Sequence, residues 1–84
     1  PTVPRLAPPI APLVASDEAF FAINGALLRN PSAINFLDGC ALSLPCHAAG
    51  AMPVGMMVWG AALRDDAVLD ASLAIEAALA PRRA

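Results

Sequence analysis

The residues best suited to chemistry in this chain are two cysteines and one histidine. Cys40, Cys46 and His47 are the only residues of these types. Their spacing is unusual for a zinc site, and no fourth ligand follows them. If the segment between the cysteines is extended, steps of about 3.3 Å place them roughly 20 Å apart, beyond disulfide reach. We therefore predict two free thiols that are buried as small hydrophobic side chains, in a reducing, cytoplasmic environment, with no metal and no cofactor.

The charged residues argue against one further class of function. The chain has five arginines, seven acidic residues and no lysine, and its net charge is −2. A nucleic-acid partner is not expected, because nucleic-acid binders need a basic stripe and these arginines are scattered. The serines fall in predicted caps, turns, strands or helices.

The N-terminal segment is unusually rich in proline. Five of the first 14 residues are proline, which lacks a backbone donor and fixes φ. The segment is also apolar, unlike a solvated linker. It is predicted to be extended and to lie across the surface of a larger protein. Pro1, standing where Met is expected, indicates a chain cut or trimmed upstream.

Helical patterns follow this segment. Ser16 is a suitable N-cap, and the acids at 17 and 18 suit the positive end of a helix dipole. The apolar face runs to Arg29, and we expect the helix to end there, because a residue before proline avoids the α region. Pro31 then begins a second short helix, which ends at Asp38 and Gly39. A final helix is predicted for residues 66–80, stopped by Pro81.

Between the helices, residues 41–46 and 53–60 read as two strands joined by a flexible turn. They predict an antiparallel hairpin. The second strand is apolar at successive positions, around Met56, Met57 and Trp59, which indicates burial on both faces. Two strands alone cannot bury two faces. The expected fold class is therefore α/β, with the rest of the sheet supplied from elsewhere.

The overall composition supports that expectation. Apolar residues make up 58% of the chain and charged residues 14%, against about 25% charged in typical soluble domains. This apolar surface could alternatively contact a membrane, since residues 39–63 carry no formal charge and are long enough to span a bilayer. Two prolines, His47 and four glycines interrupt that stretch, which favours strands and turns. We predict no membrane partner.

Four segments in this order are similar to the C-terminal part of amidase-signature enzymes. Residues 1–10 (PTVPRLAPPI) resemble that family's late proline-rich segment. Arg29, Asn30 and Asn35, followed by residues 39–46 (GCALSLPC), resemble the next block. Residues 52–60 (MPVGMMVWG) are similar to the closing strand, and an acidic turn and an alanine-rich helix follow. Residues 35–47 look closer to small-ureide amidases such as 1-carboxybiuret or allophanate hydrolases.

The resemblance implies that residues 1–84 are the C-terminal segment of a larger amidase domain. Such enzymes hydrolyse an amide C–N bond with a nucleophilic serine, a second serine in a cis peptide, and a lysine. That triad would lie outside this chain. The partners implied are the remainder of the amidase fold and a small amide or ureide substrate, and a homo-oligomer stays open. Met56 departs from the closing strand, which commonly has a glutamine nearby, and this argues against the tRNA-dependent subgroup.

The substrate-binding candidates also come from the resemblance. Arg29, Asn30 and Asn35 occupy positions that border the family's acyl-binding pocket. Arg29 suits a substrate carboxylate, because a guanidinium binds one by two parallel hydrogen bonds, although it would also suit the end of a helix. Asn35 could instead bond nearby backbone. His47 replaces the family's usual glycine and is either a pocket residue or a turn residue beside a strand end.

Two other functions remain as alternatives. The first is a non-catalytic α/β subunit or binding module that completes a partner's core. The second takes the chain as complete, with Pro1 as a catalytic base for proton abstraction. Enzymes of that second kind begin with a strand directly after the proline, and Pro4 interrupts such a strand here.

Overall fold

A two-stranded antiparallel hairpin lies at the centre of the fold, with helices before and after it in sequence. The computed structural model describes residues 1–83, which form a mixed α/β fold. Its elements are α1 (Ile10–Ala15), α2 (Asp17–Phe36), β1 (Cys40–Pro45), β2 (Gly55–Gly60) and α3 (Asp65–Arg83). The predicted hairpin and the predicted α/β class are confirmed, with strand ends that differ by one or two residues from expectation.

The register of the hairpin divides its residues between two faces. Cys40 pairs with Gly60 and Pro45 with Gly55, so the two residues of each pair have their side chains on the same face, and successive pairs alternate between the faces. One face, here called the packed face, carries Leu42, Leu44, Met56 and Val58. The other, here called the open face, carries Ala41, Ser43, Pro45, Gly55, Met57 and Trp59.

Helix α3 covers the packed face. Leu44 of β1 and Val68 of α3 are buried, with 8% and 6% of their surface exposed. Gly60 allows the close approach, because a Cβ built there would lie 3.0 Å from Val68 Cγ2. The predicted helix end at Pro81 is wrong, since α3 continues to Arg83. Pro81 lies in the last turn, where its missing N–H removes a single bond near the frayed end.

Helix α2 begins as the sequence predicts. The Ser16 hydroxyl accepts a hydrogen bond from the Ala19 amide at 3.2 Å, and Asp17 and Glu18 lie in the first turn. The predicted break at Asn30 and Pro31 is wrong, because α2 runs unbroken through Pro31. Continuing the helix brings Ile34, the buried residue of α2, against Gly39. That contact offsets the backbone hydrogen bond that Pro31 cannot make.

The end of α2 is a Schellman motif. The Gly39 amide donates to the Ile34 carbonyl at 2.9 Å, and the Asp38 amide donates to the Asn35 carbonyl at 3.1 Å. Asp38 adopts the left-handed conformation that this motif requires, with φ of 56°. The predicted closure of the helix at Asp38 and Gly39 is therefore confirmed.

The N-terminal segment is extended only through Pro9. The prediction of a non-helical segment as far as Val14 is wrong, because Ile10–Ala15 forms α1. Pro12 fits there since it lies in the first turn, where backbone N–H groups have no partner within the helix. The segment that precedes α1 meets the edge of the hairpin, where the Thr2 amide donates to the Gly55 carbonyl at 2.9 Å.

The fold is a thin layer with a large surface. Its extents are 43 × 34 × 11 Å and its radius of gyration is 15.3 Å, where a compact domain of this length would have about 12 Å. The accessible surface is 5981 Å², and a compact monomer of this mass would expose about 4,700 Å². Within residues 1–83, no helix is both long and apolar enough to cross a membrane.

Candidate functional site

A pair of hydroxyl groups lies at the centre of the candidate site, on the open face. Thr2 Oγ1 and Ser43 Oγ are 2.5 Å apart, and either oxygen can be the donor. Gly55 makes room for the pair, because a Cβ built at Gly55 would lie 2.5 Å from Ser43 Oγ and 3.2 Å from Thr2 Oγ1. The absence of a side chain at Gly55 therefore lets the N-terminal segment contact β1 across β2.

Two grooves meet at this hydroxyl pair. The larger has a volume of about 440 Å³ and lies between the N-terminal segment and the turn end of the hairpin. The smaller has a volume of about 240 Å³ and lies between the end of α2 and β1. Thr2 and Ser43 line both grooves. A molecule in either groove would therefore contact the same two hydroxyls.

His47 lines the larger groove and closes the hairpin ladder. The Val54 amide donates to His47 Nδ1 at 3.2 Å, while the Val54 carbonyl accepts from the Cys46 amide at 2.9 Å. The same Nδ1 lies 3.4 Å from the Val54 carbonyl oxygen, so the roles depend on the tautomer. In the neutral tautomer that accepts the shorter bond from the Val54 amide, the ring proton is on Nε2. His47 is thus a turn residue beside a strand end that also offers an N–H donor at the groove.

Asn30 ties α2 to the chain's first residue. Its Nδ2 donates to the Pro1 carbonyl at 2.6 Å, and its Oδ1 accepts from Arg29 Nε at 3.3 Å. Arg29 is exposed in the interior of α2, seven residues before Phe36, so the alternative that it ends a helix is wrong. Both residues lie on the helix that precedes the site and outside the linings of the two grooves.

Asn35 lines the smaller groove together with Thr2, Pro31 and Ser43. Its backbone carbonyl accepts the Asp38 amide of the helix end, while its side chain is free of that motif. The structure therefore brings Asn35 and His47 to adjoining grooves. It leaves Arg29 and Asn30 to one side, where Asn30 holds the N-terminal segment in place.

Sequence reasoning missed three residues of this site, namely Thr2, Arg5 and Ser43. Arg5 lines the larger groove and is exposed. The missed residues become visible only once the N-terminal segment is placed on the hairpin. Their one signal in the sequence is Gly55, a glycine inside a strand, which often marks the close approach of another backbone.

The two cysteines are free thiols, as predicted, but both are half-buried and not buried. Cys40 Sγ lies 3.4 Å from the Ala61 carbonyl oxygen. Partial burial raises the pKa of the Cys40 thiol, and the neighbouring Asp65 carboxylate raises it further. A thiol of this kind stays protonated and weakly nucleophilic at neutral pH. Among residues 1–83, no cluster of three or more His, Cys, Asp or Glu side chains could hold a metal ion.

The arrangement can bind and orient a small molecule. Ser43 has a hydroxyl as its partner and not a base, so its oxygen is not activated for attack. The site instead offers hydroxyl, amide and imidazole groups beside apolar walls, which suits recognition of a polar ligand. No protein-family model, curated protein or solved structure matches this chain.

Proposed function

We propose that this chain is the C-terminal part of an amidase-signature hydrolase that cleaves the C–N bond of a small amide or ureide. Its share of the fold is a hairpin, a covering helix and one wall of the substrate pocket. The serine, cis-serine and lysine of the triad would belong to the preceding part of the fold. We further propose that the enzyme is cytoplasmic and uses no cofactor.

The observation that carries this proposal is the uncovered apolar surface of the open face. Trp59, next to the last residue of β2, is 51% exposed in a strand whose composition is typical of a buried strand. The accessible surface exceeds that of a compact monomer by about 1,300 Å². A stable protein interface covers about 800 Å² on each partner. The excess is therefore large enough for a whole further layer of structure.

The positions of the grooves support the pocket-wall role. Asn35 and His47 line grooves on the open face, so a layer placed over that face would enclose them. Enclosure would strengthen the hydrogen bonds that the hydroxyl pair and Asn35 make to an amide or ureide. Arg29 and Asn30 stay proposed substrate-binding residues, as the resemblance implies. They lie one turn or more before Asn35 on α2.

Catalysis by the complete enzyme would follow the usual logic of an activated serine. A serine hydroxyl needs a base, and a neutral, desolvated lysine would accept the relayed proton. Backbone donors of a glycine-rich loop would stabilise the oxyanion. Both would come from the remainder of the amidase fold. This chain would position the substrate, and holding its carbonyl near the nucleophile lowers the activation free energy.

The test is an assay of the full natural polypeptide that contains these residues. Ammonia release should be measured with a panel of small amides and ureides. We expect hydrolysis that falls by at least about 1,000-fold when the lysine of the glycine/serine-rich region is replaced by alanine. Asn35→Ala should raise KM more than it lowers kcat. A natural polypeptide without such a lysine, or one inactive on the whole panel, would contradict the proposal.

A non-catalytic subunit that completes a partner's core is the second candidate, and the same open face favours it. In that case the natural polypeptide would be inactive on amides. It would instead form a stoichiometric complex with a separate chain, or a homo-oligomer with a second copy. Analytical ultracentrifugation of the natural polypeptide, alone and with its co-purifying chains, distinguishes these outcomes from a monomeric amidase.

A further inference from the structure

We propose that the larger groove is a binding site for a short organic monocarboxylate, held by Arg5 and His47. The carboxylate would meet the Arg5 guanidinium and the His47 Nε2–H group. Its apolar tail would lie along the walls of the groove. The groove shares His47 and the hydroxyl pair with the proposed pocket wall. The inference needs no catalytic chemistry, so carboxylate binding can be measured whether or not the protein hydrolyses amides.

Local charge favours an anion in this groove, although the whole chain carries a net charge of −2. Arg5 lines the groove, and none of the seven acidic residues does. Those residues lie on the first turn of α2, at the α2–β1 turn and on α3. A cation without a neighbouring carboxylate is available to an external anion.

Arg5 itself is free to bind. It follows Thr2 and Val3 in the segment held on the edge of β2, so its backbone is positioned by the Thr2–Gly55 hydrogen bond. Its side chain is exposed and takes part in no hydrogen bond or ion pair recorded among residues 1–83. A guanidinium offers two parallel N–H donors, which match the two oxygens of a carboxylate.

His47 supplies the second donor. In the tautomer whose Nδ1 accepts from the Val54 amide at 3.2 Å, Nε2 carries the proton and can donate to the carboxylate. The Thr2 and Ser43 hydroxyls line the same groove; one donates to the other, which leaves the second hydroxyl to donate to a ligand. The polar groups of the groove are therefore mainly donors, and a carboxylate is a pure acceptor.

The remaining walls select for an apolar tail. Val3, Leu6, Met52 and Val54 line the groove, and a volume of about 440 Å³ lies within the usual range of small-ligand sites. Inorganic anions would leave this surface in contact with water. A short aliphatic chain would cover it, and each methylene that enters the groove should improve affinity about fourfold.

The experiment is a calorimetric titration of the natural polypeptide with hexanoate, hexanamide and acetate. Hexanamide has the same shape as hexanoate without the charge. We expect hexanoate to bind about tenfold more tightly than hexanamide, because charge-assisted hydrogen bonds are stronger than neutral ones. Hexanoate should also bind more tightly than acetate. Equal affinity for hexanoate and hexanamide would overturn the proposal, and this comparison requires no variant.

Substitution then locates the site. Arg5→Gln should weaken hexanoate about tenfold and leave hexanamide unchanged. Arg82→Gln, an exposed α3 residue outside the groove, makes the same change in net charge and should leave both affinities unchanged. Thermal unfolding of each variant checks that it is folded. If Arg5→Gln and Arg82→Gln weaken hexanoate equally, the attraction is a long-range effect of net charge and the proposed site is wrong.

Discussion

The two faces of the hairpin have similar apolar residues and opposite environments. On the packed face, Leu44 lies against α3 and is almost fully buried. On the open face, Trp59 is half exposed although it is the largest side chain of either strand. The difference arises from what covers each face. The packed face is covered by α3, a helix of 19 residues. The open face is covered only by Ile34 at one end and by the N-terminal segment at the opposite end.

This comparison shows that β2 has more apolar surface than residues 1–83 cover. A strand that faces water on one side usually alternates apolar and polar residues. β2 instead has apolar residues at four successive positions, 56–59. Its composition is suited to two covering layers, and within residues 1–83 one of them is largely missing. The open face is therefore the surface where function and assembly should be sought.

The largest expected effect on the free energy of unfolding comes from truncating one large side chain on each face in turn. Leu44→Ala should lower the free energy of unfolding of the 84-residue chain by about 3 kcal/mol, because it opens a cavity under α3. Trp59→Ala should lower it by about 1 kcal/mol or less, although it removes more atoms. Urea denaturation followed by circular dichroism measures both values.

The same pair of variants in the full natural polypeptide tests whether the open face is covered there. Trp59→Ala should then cost about 3 kcal/mol or more, as expected for a buried tryptophan. The cost of Leu44→Ala should stay the same. An unchanged, small effect of Trp59→Ala in the natural polypeptide would show that the open face stays exposed.

Gly39→Ala should have the next largest effect, at the end of the open face that Ile34 covers. A Cβ at this position would lie 2.7 Å from the Gly60 carbonyl oxygen and 3.1 Å from Ile34 Cγ2. Because a backbone atom cannot move aside easily, we expect a loss of about 2 kcal/mol in unfolding free energy. Gly25→Ala is the control, since a Cβ there has no neighbour within 4 Å. It should stabilise α2. Equal effects of the two variants would contradict the close approach at Gly39.

Ser72→Ala should raise stability by about 1 kcal/mol. Ser72 lies in α3 toward the packed face, is 4% exposed, and its hydroxyl oxygen has no hydrogen-bond partner among the described residues. Removing an unpaired buried hydroxyl relieves a desolvation cost. Thermal unfolding would measure the gain. The matched control is Ser32→Ala, because Ser32 is an exposed residue of α2. A loss of stability at Ser72 would mean that its hydroxyl has a partner in the folded chain.

The smallest effect concerns reactivity and not stability. The Asp65 carboxylate is one of the groups that raise the pKa of the Cys40 thiol. Asp65→Asn should therefore lower this pKa and shift the pH profile of alkylation by iodoacetamide to lower pH, because the thiolate no longer faces a negative charge. The measurement needs a Cys46→Ser background. Asp66→Asn, in the same helical turn, should leave the profile in place, and an equal shift in both would refute a specific role for Asp65.

Much of the fold was predictable because local signals determine it. Ser16 with two following acids marks the start of α2, and Asp38 with Gly39 marks its end. The hairpin follows from two apolar runs around a flexible turn. The errors in the helix bounds all involve proline. Pro12, Pro31 and Pro81 lie inside helices, because neighbouring contacts or a position near a helix end offset the missing hydrogen bond.

The candidate site was harder to predict because it depends on contacts that are distant in sequence. Thr2 and Ser43 are 41 residues apart, and their contact depends on Gly55, which lacks a side chain. Asn30 was expected to face a substrate, whereas in the structure its amide binds the Pro1 carbonyl. The spacing of residues in the sequence does not predict such long-range hydrogen bonds. The predicted substrate roles of Arg29, Asn30, Asn35 and His47 stay predictions.

Pro45 also limits how the hairpin can aggregate or grow. The Cys46 amide donates to the Val54 carbonyl, so the alternating ladder makes Pro45 and Gly55 a pair without mutual hydrogen bonds. The nitrogen of Pro45 therefore points to the outer edge of β1, where it has no proton to offer an incoming strand. Amyloid-like stacking needs an unbroken row of edge donors. A strand added to β1 would lose register at this proline, while Thr2 already occupies the corresponding end of β2.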